Sequence, residues 1–122
     1  TIVLYCGGND LAVGLDPDEI FKKLIFLIKI IKKKYKKIKI INIQLKPSIE
    51  RISKMDKINL LNKLISDHFK KRKNLIQLKC FEDIMINGDV DETFFLRDGL
   101  HLNDKGYELI TQKLKYQLNN DY

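Results

Sequence analysis

The sequence predicts an α/β fold in which a parallel sheet is flanked by helices. Three short apolar segments rich in β-branched residues alternate with three longer segments whose apolar residues recur at helical spacing. At 122 residues the chain is long enough for one domain with one modest core. Because the order is strand, helix, strand, helix, strand, loop and helix, we expect parallel strands with helices on the sheet faces.

The first strand and the first helix are marked by clear boundary signals. Residues 2–5 form an apolar run that ends at a Gly-Gly pair, which is typical of a buried strand and a tight turn. Asp16 can cap a helix, Pro17 suits the first helical position, and Glu19 completes a capping box. The apolar residues that then recur at helical spacing are Ile20, Leu24, Leu27, Ile31 and Tyr35.

The remaining elements follow the same two periodicities. Strands are predicted at residues 38–43 and 75–80, and helices at residues 56–71 and 104–118. A loop-rich segment containing Asn87 and Gly88 precedes the last helix. The expected apolar faces of the second and third helices are formed by Ile58, Leu61, Ile65 and Phe69, and by Tyr107, Ile110, Leu114 and Leu118.

The net charge of +7 raises the possibility of a nucleic-acid or membrane surface. Nine lysines and no acidic residue lie between Lys22 and Lys39. Specific readers of nucleic acid depend on arginine, however, and the chain has 20 lysines against 3 arginines. We therefore predict a solvated lysine-rich helix face and no nucleic-acid partner. No segment reaches the ~18 consecutive apolar residues of a membrane span.

The two cysteines indicate neither a disulfide framework nor a metal site. Cys6 and Cys80 lie in or beside predicted strands, where we expect buried free thiols. Neither has a cysteine or histidine at metal-ligand spacing, and the sequence suggests no cofactor. The chain opens at Thr1 directly into an apolar run, which suggests that a preceding segment has been removed.

The polar residues of interest follow the carboxyl ends of the predicted strands, where parallel sheets bind ligands. Asn9 and Asp10 follow the first strand, Ser48 follows the second, and Asp98 and His101 come after the third strand and its loop. An Asp three residues before a His lets the carboxylate bond one imidazole nitrogen and leaves the other for a nucleophile. Taken alone this spacing is a weak signal, and it also fits a helix-capping loop.

The longer sequence pattern is more specific. The segment Phe-Phe-Leu-Arg-Asp-Gly-Leu-His-Leu-Asn at residues 94–103, followed by Gly106 and Tyr107, resembles the last signature block of the GDSL/SGNH hydrolases. Residues 2–10, which end in Gly-Gly-Asn-Asp, resemble the Gly-x-Asn-Asp block of that family. Residues 43–51 resemble a strand-end segment of one bacterial, acetylhydrolase-like branch. The three matches occur in the family order and span nearly the whole chain.

The resemblance implies a serine ester hydrolase acting on a small ester without a cofactor. His101 matches the general base, Asp98 the residue that orients it, and Asn9 the side-chain donor of the oxyanion hole. Gly7 would let the turn approach the site, and Asp10 would brace the loop. The implied fold is the three-layer α/β/α, flavodoxin-like fold with strand order 2-1-3-4-5, of which residues 1–122 would supply strands 3, 4 and 5.

The nucleophile block of that family is missing from this sequence. Ser53 and Ser66 are expected to be surface residues of the second helix, and Ser48 matches a family position that is not the nucleophile. His68 is expected on a helix surface without a role. We therefore expect a domain that lacks its nucleophile block and is inactive alone. An inactive remnant or interaction module of the same fold is the alternative, and a basic nucleic-acid-binding protein is a weaker one. The first strand would present an unpaired edge for a second copy or an upstream segment.

Overall fold

A computed structural model describes residues 1–120 of the chain. The strands are β1 (Ile2–Leu4), β2 (Ile40–Ile43), β3 (Leu75–Leu78), β4 (Met85–Ile86) and β5 (Asp89–Val90). The α-helices are α1 (Gly8–Ala12), α2 (Pro17–Lys34), α3 (Met55–Phe69) and α4 (Asp104–Asn119). Short 3₁₀ turns occupy Ile52–Lys54, Glu82–Ile84 and Glu92–Phe94.

The main sheet has the predicted parallel architecture. Its order is β1-β2-β3, and Ile2 pairs with Ile40, which in turn pairs with Leu75. All three strands therefore end at the same edge of the sheet, where the loops that carry the polar residues meet. β1 is an outer strand, and among the described residues it pairs only with β2.

One face of the sheet is covered by α2 and α3. Ile40 and Leu75 project from this face into the larger apolar cluster, which also contains Ile20 of α2 and Leu61 of α3. The four predicted apolar residues of α3 are all buried, as expected from their spacing. At the start of α2 the side chain of Glu19 accepts a hydrogen bond from the backbone N of Asp16 (3.2 Å), so the predicted capping box is present.

The opposite face is approached by α4. Successive side chains of a strand point to opposite faces of the sheet, so the side chains of Ile41 and Ile43 point away from α3. Ile43 lines a cleft together with Ile110 of α4, and Leu102 before that helix belongs to a second, smaller apolar cluster. The chain thus has helices on both sides of its sheet, and this arrangement confirms the α/β/α prediction.

Side-chain amides fasten the carboxyl ends of the strands. Asn62 of α3 accepts a hydrogen bond from the backbone N of Leu45 (2.9 Å) and donates one to its carbonyl oxygen (2.8 Å). Gln44 accepts from the backbone N of both Cys80 (3.0 Å) and Phe81 (2.9 Å). These side-chain hydrogen bonds satisfy backbone groups where the pairing between strands has ended. They hold together the segments that follow β2 and β3.

Several predicted boundaries and faces differ from the structure. The strands end earlier than predicted, at Leu4 and Leu78, and β2 begins at Ile40 because Ile38 is held in a turn by the carbonyl of Tyr35. Leu27 of α2 and Tyr35, the residue after its end, are exposed although we expected both on the apolar face. Ile28, which follows Leu27, is buried instead, because the buried residues of α2 recur every four positions from Ile20 to Leu24 to Ile28.

Two elements were missed. The residues after Gly7 form the short helix α1 where a loop was expected. The segment around Asn87 is a β-hairpin of β4 and β5, with positive φ at both Asn87 (50°) and Gly88 (84°). An Asn-Gly pair is a strong hairpin signal, so the sequence did contain this information. None of the described helices is long and apolar enough to cross a membrane.

Candidate active site

Residues 94–103 form a tight loop that presents Asp98 and His101 at its tip. Phe95 and Leu102 pair across it as an antiparallel bridge, and the backbone N of Leu96 donates to the carbonyl of His101 (2.8 Å). Asn103 then caps α4 by accepting from the backbone N of Gly106 (3.0 Å). A side chain at Gly106 would put its Cβ 2.6 Å from the carbonyl oxygen of Phe94, so the loop needs glycine there.

Asp98 and His101 form the hydrogen bond expected from their spacing. Oδ2 of Asp98 lies 2.6 Å from Nδ1 of His101. Oδ1 accepts from the backbone N of Leu100 and of His101, both at 2.9 Å. Gly99 makes this turn possible with a positive φ of 66°. An ionised carboxylate can only accept, so Nδ1 carries the hydrogen and Nε2 is the nitrogen left to take a proton.

The electrostatics of the pair follow from these bonds. The His101 ring, together with the two backbone N–H groups, lowers the pKa of Asp98 from 3.8 to about 2. Both side chains are largely exposed, at 47% for Asp98 and 65% for His101. The carboxylate is therefore ionised at neutral pH and can hold the imidazole in one tautomer.

Asn9 lies in the first turn of α1, directly after β1. Gly7 precedes the helix with a φ of 108°, and a Cβ on it would meet Ile20 and Leu61 at 3.2 and 3.3 Å. Gly7 therefore packs against the core, and its role is to turn the chain so that Asn9 projects beyond the end of the sheet. That Gly7 lets this turn approach the site stays a prediction.

Asn9 and His101 line one cleft of about 270 Å³. Ile43, Cys80 and Leu102 contribute to its walls, and Tyr107 of α4 lies along it. The cleft opens at the carboxyl ends of the three parallel strands, which is where sheets of this type bind ligands. The structure thus brings together three of the sequence-predicted site residues: Asn9, Asp98 and His101.

Two cations from the loop after β2 also line the cleft. Lys46 donates from Nζ to the carbonyl oxygen of Leu100 (2.7 Å), next to His101. Burial, together with the charge of Arg51, lowers the pKa of Lys46. Arg51 donates from Nη2 to Oδ1 of Asn9 (2.9 Å). Sequence reasoning gave these two residues no role, although Arg51 is one of only three arginines in a lysine-rich chain.

Within residues 1–120, no serine lines this cleft. Ser48 is 1% exposed, and its Oγ accepts a hydrogen bond from the backbone N of Arg51 (3.3 Å). Ser53 lies in a 3₁₀ turn and Ser66 in α3, where it borders a different groove.

Cys80 does line the cleft, but burial, aided by the charge of Asp83, raises the pKa of its thiol to about 11. A thiol with that pKa is a poor nucleophile at neutral pH.

The other residues considered from sequence lie away from the cleft. Asp10 borders a separate groove with Cys6, and its carbonyl accepts from the backbone N of Leu15 (3.0 Å). Cys6 is exposed, which corrects the expectation that both cysteines are buried; its position beyond the end of β1 removes it from the core. His68 is half-buried, with its ring 5.5 Å from that of Phe21.

Comparison with known proteins extends the similarity beyond these few residues. The profile of the GDSL-like lipase/acylhydrolase family matches residues 1–109, which is most of the chain. The chain belongs to this family. The match includes β1 with Asn9, the loop after β2, and the segment that carries Asp98 and His101. No curated protein sequence matches the chain.

Solved structures share the fold at low sequence identity. A carbohydrate esterase of family 3 from Talaromyces cellulolyticus superposes with a TM-score of 0.80 at 18% identity, covering 96% of this chain and 56% of its own. A member of the lipolytic G-D-S-L family from Veillonella parvula DSM 2008 gives 0.72 at 18% identity, covering 97% and 62%. An acetyl esterase mutant with acetate ion gives 0.77 at 17% identity, covering 95% and 56%. The chain spans less than two thirds of each, and these likenesses show the fold.

Proposed function

We propose that this chain supplies the general base and an oxyanion-hole donor of a serine ester hydrolase. His101 is the base, Asp98 orients it, and the side-chain amide of Asn9 is the donor. The nucleophilic serine is contributed by residues outside these 122, because none of the serines within them lines the cleft. The observation that carries the proposal is that Asn9 and His101, with His101 bonded to Asp98, line one cleft in a member of an acylhydrolase family.

The residues fit the steps of acyl transfer. His101 takes the proton of the serine hydroxyl at Nε2 while the serine oxygen attacks the ester carbonyl. The carbonyl oxygen becomes an oxyanion and accepts a hydrogen bond from Nδ2 of Asn9. His101 then returns its proton to the departing alcohol oxygen, leaving an acyl-enzyme. Water attacks that ester by the same route and releases the acid and the serine.

The cleft favours a small ester as substrate. Its volume of about 270 Å³ is slightly below the ~300–1,000 Å³ that is common for ligand pockets. Leu100, Leu102 and Ile110 give it apolar walls, against which a short acyl group can pack. No residue role in this scheme requires a metal ion or an organic cofactor.

The test is turnover of p-nitrophenyl acetate by the full polypeptide that contains these residues. His101→Ala should lower kcat by about 10³-fold or more, and Asn9→Ala by about 10²–10³-fold. Matched controls are His68→Ala and Asn59→Ala, which change the same residue types outside the cleft and should leave kcat within about twofold. Equal activity of His101→Ala and His68→Ala would refute the proposed function.

A further inference from the structure

The guanidinium of Arg51 is held between two loops next to the oxyanion donor. Its side chain is only 15% exposed, and Nη2 lies 2.9 Å from Oδ1 of Asn9. Its Nε has no hydrogen-bond partner among the described residues, and the carboxylate of Glu50 is 3.5 Å away. Burying an arginine has a cost in desolvation that calls for an explanation. Among residues 1–120, the hydrogen bond of its side chain goes to Asn9.

The surrounding backbone is arranged to admit this side chain. A side chain at Gly8 would place its Cβ 2.8 Å from Nη1 of Arg51, so glycine leaves the room that the guanidinium occupies. On the other side, the Oγ of buried Ser48 accepts from the backbone N of Arg51 and fixes the start of its side chain. The backbone N of Glu50 also donates to the carbonyl of Gly99 (3.1 Å), which ties this loop to the one carrying His101.

The contact decides which way the Asn9 amide points. A guanidinium has donors and no acceptor, so only the oxygen of the amide can face it. Nδ2 of Asn9 must then point away from Arg51, and Asn9 and Arg51 both border the cleft. An amide free to rotate by half a turn would present its oxygen to the oxyanion for part of the time, and that orientation is repulsive.

We propose that Arg51 is a positioning residue that holds the Asn9 amide with its N–H groups directed at the oxyanion. This inference rests on the proposed function, because it assumes that Asn9 is an oxyanion donor. Arg51 acts through Asn9 and does not itself touch the reacting atoms. It therefore accelerates the reaction only when Asn9 is present.

The kinetic test is a double-mutant cycle in the full polypeptide with p-nitrophenyl acetate. Arg51→Ala should lower kcat by about 10–10²-fold, the effect of a misplaced catalytic group, with KM changed by less than about threefold. In the Asn9→Ala background the same substitution should change kcat by less than about twofold. Arg51→Lys keeps a cationic hydrogen-bond donor but not the planar guanidinium, and it should recover part of the lost kcat. Arg72→Ala is the matched control, since Arg72 donates to the carbonyl of His68 outside the cleft.

A second readout does not depend on activity. The NMR order parameter of the Asn9 side-chain NH₂ group should fall in Arg51→Ala and in Gly8→Ala, which crowds the guanidinium without removing it. The order parameter of Asn59 should not change in either variant. Circular dichroism of both variants would verify that the fold is retained.

The outcomes separate this inference from the proposed function. A loss in kcat of the same size with and without Asn9, a change in KM alone, or an unchanged Asn9 order parameter would overturn the positioning role. If His101→Ala keeps full activity, the proposed function fails instead, and the order parameter of Asn9 still decides whether Arg51 fixes the amide.

Discussion

The two carboxylate oxygens of Asp98 have different hydrogen-bond partners at the tip of the 94–103 loop. Oδ2 lies 2.6 Å from Nδ1 of His101, while Oδ1 accepts from the backbone N of Leu100 and of His101. The same side chain therefore fixes both the turn of the backbone and the tautomer of the ring. The geometry of the loop and the orientation of the His101 ring depend on one charge, and both should respond to its protonation.

The first prediction concerns that protonation. The carboxyl ¹³C signal of Asp98 should titrate with a midpoint near pH 2, below the usual 3.8. Because the folded-state pKa is lowered, the ionised contact stabilises the fold at pH values above about 4. That contribution is lost as the pH falls towards 2. His101→Ala should raise the midpoint, since the ring is the largest cause of the shift, and His68→Ala should leave it unchanged. A midpoint near 4 in the parent chain would contradict the observed geometry.

The second prediction compares two buried asparagines. Asn62 bonds both backbone groups of Leu45, whereas neither the oxygen nor the nitrogen of the Asn42 side chain has a hydrogen-bond partner among the described residues. Asn62→Leu should lower the free energy of unfolding by about 1–3 kcal/mol, because it leaves buried backbone groups unpaired. Asn42→Leu should be neutral or stabilising, because it removes unpaired polar atoms. Urea unfolding of the two variants checks this, and similar losses would contradict it.

The third prediction concerns the free edge of β1. Val3 and Tyr5 are 40% and 53% exposed, and the alternation of a parallel ladder directs the Val3 N–H away from β2. We expect the 122-residue chain to pair through this edge as a dimer or to aggregate, as measured by size-exclusion chromatography with light scattering. Val3→Lys should restore a monomer. The matched control Ile86→Lys, at an exposed apolar residue of β4, should not. A stable monomer with a protected Val3 amide would show that the edge is already covered.

The fourth prediction is that the 122-residue chain alone does not hydrolyse p-nitrophenyl acetate above its His101→Ala variant. The proposed base and oxyanion donor line the cleft, but no serine of residues 1–120 does. Stopped-flow absorbance would detect a burst of p-nitrophenol from an acyl-enzyme. A burst that Ser48→Ala abolishes would assign the nucleophile to Ser48 despite its burial.

Sequence reasoning placed the candidate site residues at one edge of the sheet because they follow strand ends. In a parallel sheet these ends share one edge, so Asn9 and His101 could be placed together although 92 positions separate them. The spacing of Asp98 and His101 is local, and their hydrogen bond could be anticipated from it. The alternation of elements likewise fixed the α/β class, because period and length are properties of short segments.

The contacts of Arg51 and Lys46 could not be anticipated in the same way. Arg51 meets Asn9 across 42 positions, and Lys46 meets Leu100 across 54, through side chains whose direction depends on the packing of three loops. The helix at Asn9 was missed because Gly7 and Gly8 indicate a turn, and the five residues of α1 are too few to show helical periodicity. Tertiary packing decided these features, and local propensity gave no signal for them.

The most direct test of the account is active-serine labelling of the full polypeptide with a fluorophosphonate probe, followed by mass spectrometry of the labelled peptide. We predict one labelled serine outside these 122 residues, with labelling lost in His101→Ala and retained in His68→Ala. Labelling of Ser48, Ser53 or Ser66, or labelling that does not depend on His101, would contradict the assignment of this chain as the base and oxyanion part of a serine ester hydrolase.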